Sequence, residues 1–259
     1  YYHFQLPSDL GFSAGRLPLF MLKIFSKSDV GLIRDNNEDF YFTDSGYGLI
    51  IVADGAGGHD HGEIASRLAV ESCYQYLTRE DYLEDTSDIT KTLMDSITFA
   101  NQQVIEYKKK HMPKSNMGTT LSCVHVGETE INFAWMGDSR IYLIDPGKNN
   151  ISQLSIDHTV YQEMVNRGEI GQSFKKHILS RMLGNNAYSR PDGDKLPLTP
   201  GNIILVCTDG YSDLISEEKT LNAVKAFGNS LEAIADALIE LAKGESGRDN
   251  ITVSLALTE

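Results

Sequence analysis

Ile50-Ile51-Val52-Ala53-Asp54-Gly55-Ala56-Gly57-Gly58-His59 is an apolar run that stops abruptly at Asp-Gly. A short continuous apolar run bounded by turn residues predicts a buried strand. The aspartate then stands where the strand leaves the core. The glycines after it lack a Cβ, so a ligand or another backbone can come close. Alone, the stretch is read equally well as a polar turn after a core strand, but the chain repeats the device. Ile203-Ile204-Leu205-Val206-Cys207-Thr208-Asp209-Gly210 is a second apolar run closed by Asp-Gly, and Phe133-Ala134-Trp135-Met136-Gly137-Asp138 is a third ending in Asp. Arg248-Asp249-Asn250 precedes a fourth, residues 251–257. Such aspartates converge only if their strands present one rim to one cleft. Uncompensated, they would repel one another and raise each other's pKa values; a divalent cation would cancel that charge.

Working outward, residues 39–42 and 47–53 are strand-like and joined through Asp44-Ser45-Gly46, which reads as a hairpin. Ile64, Ala65, Leu68, Ala69, Cys73, Tyr76 and Leu77 share one helical face. Leu93, Ile97, Ala100, Val104 and Tyr107 mark a second helix, closed by Lys108-Lys109-Lys110, a basic run suited to a helix C-terminus. Residues 118–126, 130–136 and 140–144 predict three strands with tight connections. Residues 158–167 read as a helix closed by Gly168, and the stretch to Pro200 as irregular, with Pro191, Pro197 and Pro200 as breakers. Ser216 can cap a helix reaching Phe227, and Leu231, Ile234, Ala235, Leu238 and Ile239 form a last amphipathic helix. Hairpinned strands and paired helices argue against the strict alternation of a parallel sheet. Two antiparallel sheets, each flanked by a pair of helices, would bury every apolar face in an α+β fold.

The chain has 259 residues, 41% hydrophobic and 23% charged, with neither an internal linker nor a low-complexity segment. A net charge of -13 argues against general nucleic-acid binding, which rests on basic residues meeting phosphates. Cys73, Cys123 and Cys207 all lie in apolar stretches and read as reduced thiols. No apolar run approaches a membrane span, and no secretory signal pattern opens the chain. The expectation is a cytoplasmic monomer. Residues 1–20 show no clear period, whereas Met21 opens a better-patterned segment. Residues 1–20 are therefore expected to be a foreign leader and residues 21–259 a single domain.

The candidate metal ligands are Glu38, Asp39, Asp54, Asp138, Asp209, Asp249 and the carbonyl of Gly55. An all-oxygen set suits Mg or Mn, whereas zinc would show Cys and His at short spacing. His59 and His61 beside the glycine turn read more readily as solvated than as ligands. Two hard cations sharing a carboxylate activate water and clamp a phosphoryl oxygen. Arg34, four residues before Glu38, offers a fork that matches a phosphate dianion. Three rival phosphate chemistries fail on the residues. Cys73 and Arg79 have cysteine-phosphatase spacing, but Tyr-Gln-Tyr-Leu-Thr between them has no glycine and continues a helix face. Asp192-Gly193-Asp194 mimics an aspartyl-phosphate motif but follows no expected strand. No GxxxxGK[ST] loop is present.

Arg34-Asp35-Asn36-Asn37-Glu38-Asp39, Ala53 to His59, Met117-Gly118-Thr119-Thr120, Gly137-Asp138-Ser139-Arg140, Thr208-Asp209-Gly210 and Gly247-Arg248-Asp249-Asn250 occur in an order and spacing that resemble the bacterial type-2C (PPM) metal-dependent serine/threonine protein phosphatases. The resemblance covers about residues 28–257. It implies a four-layer α/β/β/α sandwich with two Mn or Mg ions between the sheets and a third, weakly held one. By position, Asp54 would bridge both metals with the Gly55 carbonyl on one, and Asp209 and Asp249 would complete the other. Glu38 and Asp39 would act on metal-bound waters or as ligand support, and Asp138 with Asp209 would match the third site. Arg34 would hold the substrate phosphate. The chain departs from the family at Ala56, where many bacterial members carry Met and many eukaryotic ones a catalytic His. That puts the usual general acid in doubt; His59 is the nearest replacement in sequence, and a metal-bound water could also serve. Residues 158–197 would be the variable flap. The implied function is hydrolysis of phosphoserine and phosphothreonine on proteins by a metal-bridging water or hydroxide, with a serine/threonine kinase and its substrates as partners. Two alternatives are a pseudophosphatase that binds phosphoproteins or a kinase without turnover, and a hydrolase of small phosphate esters.

Overall fold

The alternation of side chains along a strand explains why the apolar runs are unbroken. In β3 (Leu49–Ala53), Leu49, Ile51 and Ala53 face a pair of helices, while Ile50 and Val52 face the opposite way, into a core between two sheets. Both faces are dry, so every position is apolar. The same holds for β11 (Ile203–Cys207), whose Ile204 and Val206 point between the sheets. Burying each such Ile, Leu or Val contributes roughly 1.5–3 kcal/mol.

The structure, a computed structural model, describes residues 22–56, 61–79, 88–169, 177–185 and 190–258. The expected leader over residues 1–20 lies outside the described residues. One sheet has the order β1 (Leu22–Asp29), β12 (Ile251–Thr258), β11, β8 (Arg140–Asp145), β9 (Asn150–Gln153). The other runs β10 (Asp192–Pro197), β7 (Glu130–Met136), β6 (Leu121–Val126), β3, β2 (Phe40–Asp44). All of these neighbours are antiparallel. A short pair, β4 (Gly55–Ala56) and β5 (Gly118–Thr119), extends the second sheet's rim. Helices α1 (Gly62–Leu77) and α2 (Ile89–His111) pack on the second sheet through Ala65, Ala69, Cys73, Leu93, Ile97, Ala100 and Val104. Helices α5 (Glu217–Phe227) and α6 (Leu231–Glu245) cover the first through Leu221, Val224, Ile234, Leu238 and Ile239. Two short helices, α3 (Val160–Asn166) and α4 (Asp209–Ser212), complete the described elements. The layers are helix pair, sheet, sheet, helix pair, as expected.

Local signals hold where they are strong. Ser216 accepts the Lys219 N–H at 3.3 Å and caps α5, and Asp88 caps α2 by accepting from Lys91 at 3.0 Å. The stretch from Gly168 to Pro200 departs from expectation, because β10 forms within it. Its pairing with β7 sets Asp192 opposite Trp135 and Pro197 opposite Glu130. Proline is tolerated there because β10 is an edge strand. Strands β1 and β9 are likewise not among the expected elements. Both are edges, only partly buried and held by pairing with β12 and β8.

Candidate metal centre

Strand register brings the aspartates to one rim. Cys207 at the end of β11 lies opposite both Arg140 at the start of β8 and Val253 near the start of β12. Asp209, Asp138 and Asp249 flank those positions and therefore emerge at the same edge. In the other sheet, Phe40 lies opposite Ala53, which puts Glu38 and Asp54 at the facing edge. Arg34, Glu38, Asp54, Gly55, Ala56, Thr120, Asp138, His177, Leu179, Asp209 and Asp249 line one cleft of about 180 Å³.

Asp39 lies behind this cleft. It is buried, and its Oδ2 accepts hydrogen bonds from the hydroxyls of Thr208 at 2.9 Å and Thr252 at 2.6 Å. Asp39 belongs to the second sheet's rim and both threonines to the first, so this carboxylate ties the two rims together. Asn250 adds another tie. Its Oδ1 accepts the Glu38 N–H at 2.8 Å, and its amide donates to the carbonyls of Val30 and Asn36, each at 2.9 Å. Thr120 fixes Asp54: its Oγ1 accepts the Asp54 N–H at 2.9 Å, and its own N–H donates to the Asp54 carbonyl at 2.9 Å.

The glycines of the two Asp-Gly pairs serve close approach. A Cβ on Gly55 would lie 2.5 Å from the carbonyl oxygens of Glu38 and Gly62, and one on Gly210 would lie 2.1 Å from that of Asn250. Neither has positive φ. Each glycine packs against backbone of its own rim, Gly55 against Glu38 and the start of α1 and Gly210 against Asn250, and a side chain at either position would displace that backbone.

The electrostatics are those of a cation site. Burial, then the neighbouring charge of Asp209, Asp39, Asp138 and Asp249, pushes the Asp54 carboxyl well above its ordinary range. Asp138 is raised to about 8 by burial and by Asp209, Asp157 and Asp213. Asp209 is raised by burial and by Asp249. Burial lifts Asp39 to about 7 against its two threonine donors. One cation is already inserted: Arg34 Nη2 lies 2.9 Å from Asp249 Oδ2. Apart from the His177 imidazole, the donors are carboxylate and carbonyl oxygens, the carboxylates crowded against their own charge, and such a set fits hard divalent ions.

Of the sequence-predicted site residues, Arg34, Glu38, Asp54, Gly55, Asp138, Asp209 and Asp249 share the cleft, and Asp39 supports it from behind. His59 lies outside the described residues. Two residues were missed. His177 and Asp213, with Asp209, bring one ligand atom each within 4.8 Å of one another, and His177 Nδ1 is 2.9 Å from Asp213 Oδ2. The one available signal was for Asp213, one helical turn after Asp209; His177 follows from no local pattern. Asp213 also meets Arg140 Nη2 at 3.1 Å, and Arg140 in turn grips Asp157 with Nη2 at 2.7 Å. Cys73 is buried, 3.2 Å from Ser96 Oγ in the helix layer, and not among the residues lining the cleft.

A family model described as protein phosphatase 2C matches residues 31–243. The serine/threonine phosphatase stp of Listeria welshimeri is 32% identical over 237 residues, spanning 88% of this chain and 93% of the relative. The crystal structure of the catalytic domain of the serine/threonine protein phosphatase PstP, in complex with two manganese ions, superposes with a TM-score of 0.80 at 30% identity, covering 92% of this chain and 99% of that one. The structure of the S. agalactiae serine/threonine phosphatase gives a TM-score of 0.82 at 30% identity, covering 92% of this chain and 100% of that one.

Proposed function

Because the chain belongs to the protein phosphatase 2C family, and is a metal-dependent serine/threonine protein phosphatase, we propose that its aspartate cleft is the catalytic centre. In this reading Asp54, the Gly55 carbonyl, Asp209 and Asp249 would hold two Mn or Mg ions. Bound there, such cations would supply an activated water and neutralise charge on the phosphoryl group. Glu38 orients water at the rim, and Asp39 fixes the spacing of the two rims. Arg34 receives the substrate phosphate, exchanging its Asp249 partner for it. Asp138 with Asp209 serves an outer cation. His59 remains the candidate proton donor from the chain itself, since Ala56 has no proton to give. The observation that carries the reading is the convergence of Asp54, Asp138, Asp209 and Asp249 with Arg34 on one cleft. The complete carboxylate set gives no support to a silent pseudophosphatase.

We read residues 21–259 as one catalytic domain, acting as a monomer in the cytoplasm on proteins phosphorylated by a serine/threonine kinase in a signalling pathway. Among the described residues, no helix is long and apolar enough to cross a membrane.

Turnover of a phosphopeptide should require Mn or Mg and vanish with chelator. Millimolar Mn should also raise the melting temperature, because the ion binds the folded cluster and not the unfolded chain. Full activity in metal-free buffer, or a melting temperature indifferent to Mn, would end the reading. Arg34→Ala should raise KM about tenfold, the scale of a lost charge-assisted hydrogen bond, with a smaller fall in kcat. An unchanged KM would place Arg34 outside the substrate site.

A further inference from the structure

The loop that delivers Arg34 carries large aliphatic side chains on its outside. Leu32 is 60% exposed and Ile33 68%, with Val30 at 37% before them. Single exposed aliphatics are ordinary on a protein surface; a cluster held rigidly beside a functional cleft is informative. This cluster is held rigidly. The Leu32 N–H donates to the Gly247 carbonyl at 2.7 Å, and the Asn250 amide takes the carbonyls of Val30 and Asn36 at either end of the loop. The loop is thus tied to the turn that carries Asp249. Ile178, 47% exposed, lies between two cleft-lining residues, His177 and Leu179. It too is anchored: its carbonyl accepts the Val160 N–H at 2.8 Å, and Leu179 bridges to Thr159. Leu32 and Ile33, next to Arg34, and Ile178, between His177 and Leu179, are therefore fixed apolar shoulders beside the cleft.

We infer that these shoulders select substrates in which large aliphatic residues lie close to the phosphorylated serine or threonine. The inference rests on the proposed phosphatase site. The occupant is a substrate polypeptide because the shoulders are continuous with the cleft that must receive the phosphate, and the chain on either side of that phosphate must pass over them. An extended peptide advances roughly 3.3 Å per residue, so residues within about three positions of the phosphoryl group are the ones that reach the shoulders. Aliphatic neighbours are the chemistry that gains most by covering Leu32, Ile33 and Ile178.

The test compares wild type with Leu32→Ser/Ile33→Ser, both loaded with Mn. Three substrates are used: phosphopeptides with Leu or Val within three positions of phosphoserine, the same peptides with Ser in their place, and a small aryl phosphate. Wild type should favour the aliphatic peptides about tenfold in kcat/KM, mainly through KM. The double variant should lose that preference and keep its rate on the aryl phosphate, which has no flanking chain. Equal use of both peptides by wild type would overturn the inference. So would an equal loss on aryl phosphate, which would mean that the loop serves only to orient Arg34. A wild-type dimer dissolved by the substitutions, with peptide preference unchanged, would assign the shoulders to self-association instead. Absence of any Mn-dependent turnover by wild type would sink the phosphatase site itself, a different failure from loss of preference.

Discussion

Asp54→Asn, Asp209→Asn and Asp249→Asn should each lower turnover of a phosphopeptide by about a thousandfold, the upper range for losing one preorganised electrostatic group. Each substitution keeps the shape of the side chain and removes the charge that would hold a cation. Asp54 lies on the second sheet's rim and faces Asp209 and Asp249 on the first, so its loss should weaken any cation held between them. The stability readout separates this from simple unfolding. In the metal-free protein these carboxylates work against the fold, because burial and mutual repulsion raise the pKa values of Asp54 and Asp209. A carboxylate whose folded pKa lies above its unfolded value destabilises the native state once ionised, and that penalty grows as pH rises through the folded pKa. Asp54→Asn should therefore melt higher than wild type without metal at neutral pH, and lose most of the rise that Mn gives wild type. A folded variant that keeps normal turnover and the full Mn-induced shift would remove Asp54 from the metal centre.

Asp138→Ala should lower kcat about a hundredfold, the scale of a lost general acid, while two tight Mn binding events persist in calorimetry. Asp138 belongs to the turn between β7 and β8, apart from the Asp-Gly pairs. The residue is 8% exposed, and its charge is opposed by Asp209, Asp157 and Asp213. Part of that crowding is already answered, since Arg140 grips Asp157 and Asp213. An outer cation served by few carboxylates should bind weakly and keep several waters. Proton delivery to the leaving oxygen would then depend more on a water at that position, because Ala56 cannot contribute. Loss of both tight binding events, or near-normal kcat at saturating Mn, would give Asp138 another role.

The legible residues share a property: each is announced by its immediate neighbours. Asp54 and Asp209 end runs that no solvent-facing segment would carry, and Asp249 opens one. Glu38 and Asp39 show where local reading stops. They are adjacent and chemically alike, yet one lines the cleft and the other is buried against Thr208 and Thr252. Only the side of the backbone each projects from separates them. His177 and β10 lie further out of reach. Both fall in a proline-interrupted stretch with no period of its own, and β10 exists because β7 offers it a pairing edge.

The sequence by itself determined the layers, because helical and strand periods are local and two dry faces demand unbroken apolar runs. It also determined the kind of ligand, because oxygen donors at strand ends have few uses other than a hard cation. Only the tertiary structure decided that the strand ends open on a single cleft. That depends on antiparallel register across β8, β11 and β12 and on Asp39 spanning the two sheets. Contacts of this kind join residues far apart in the chain and leave no mark on the residues beside them.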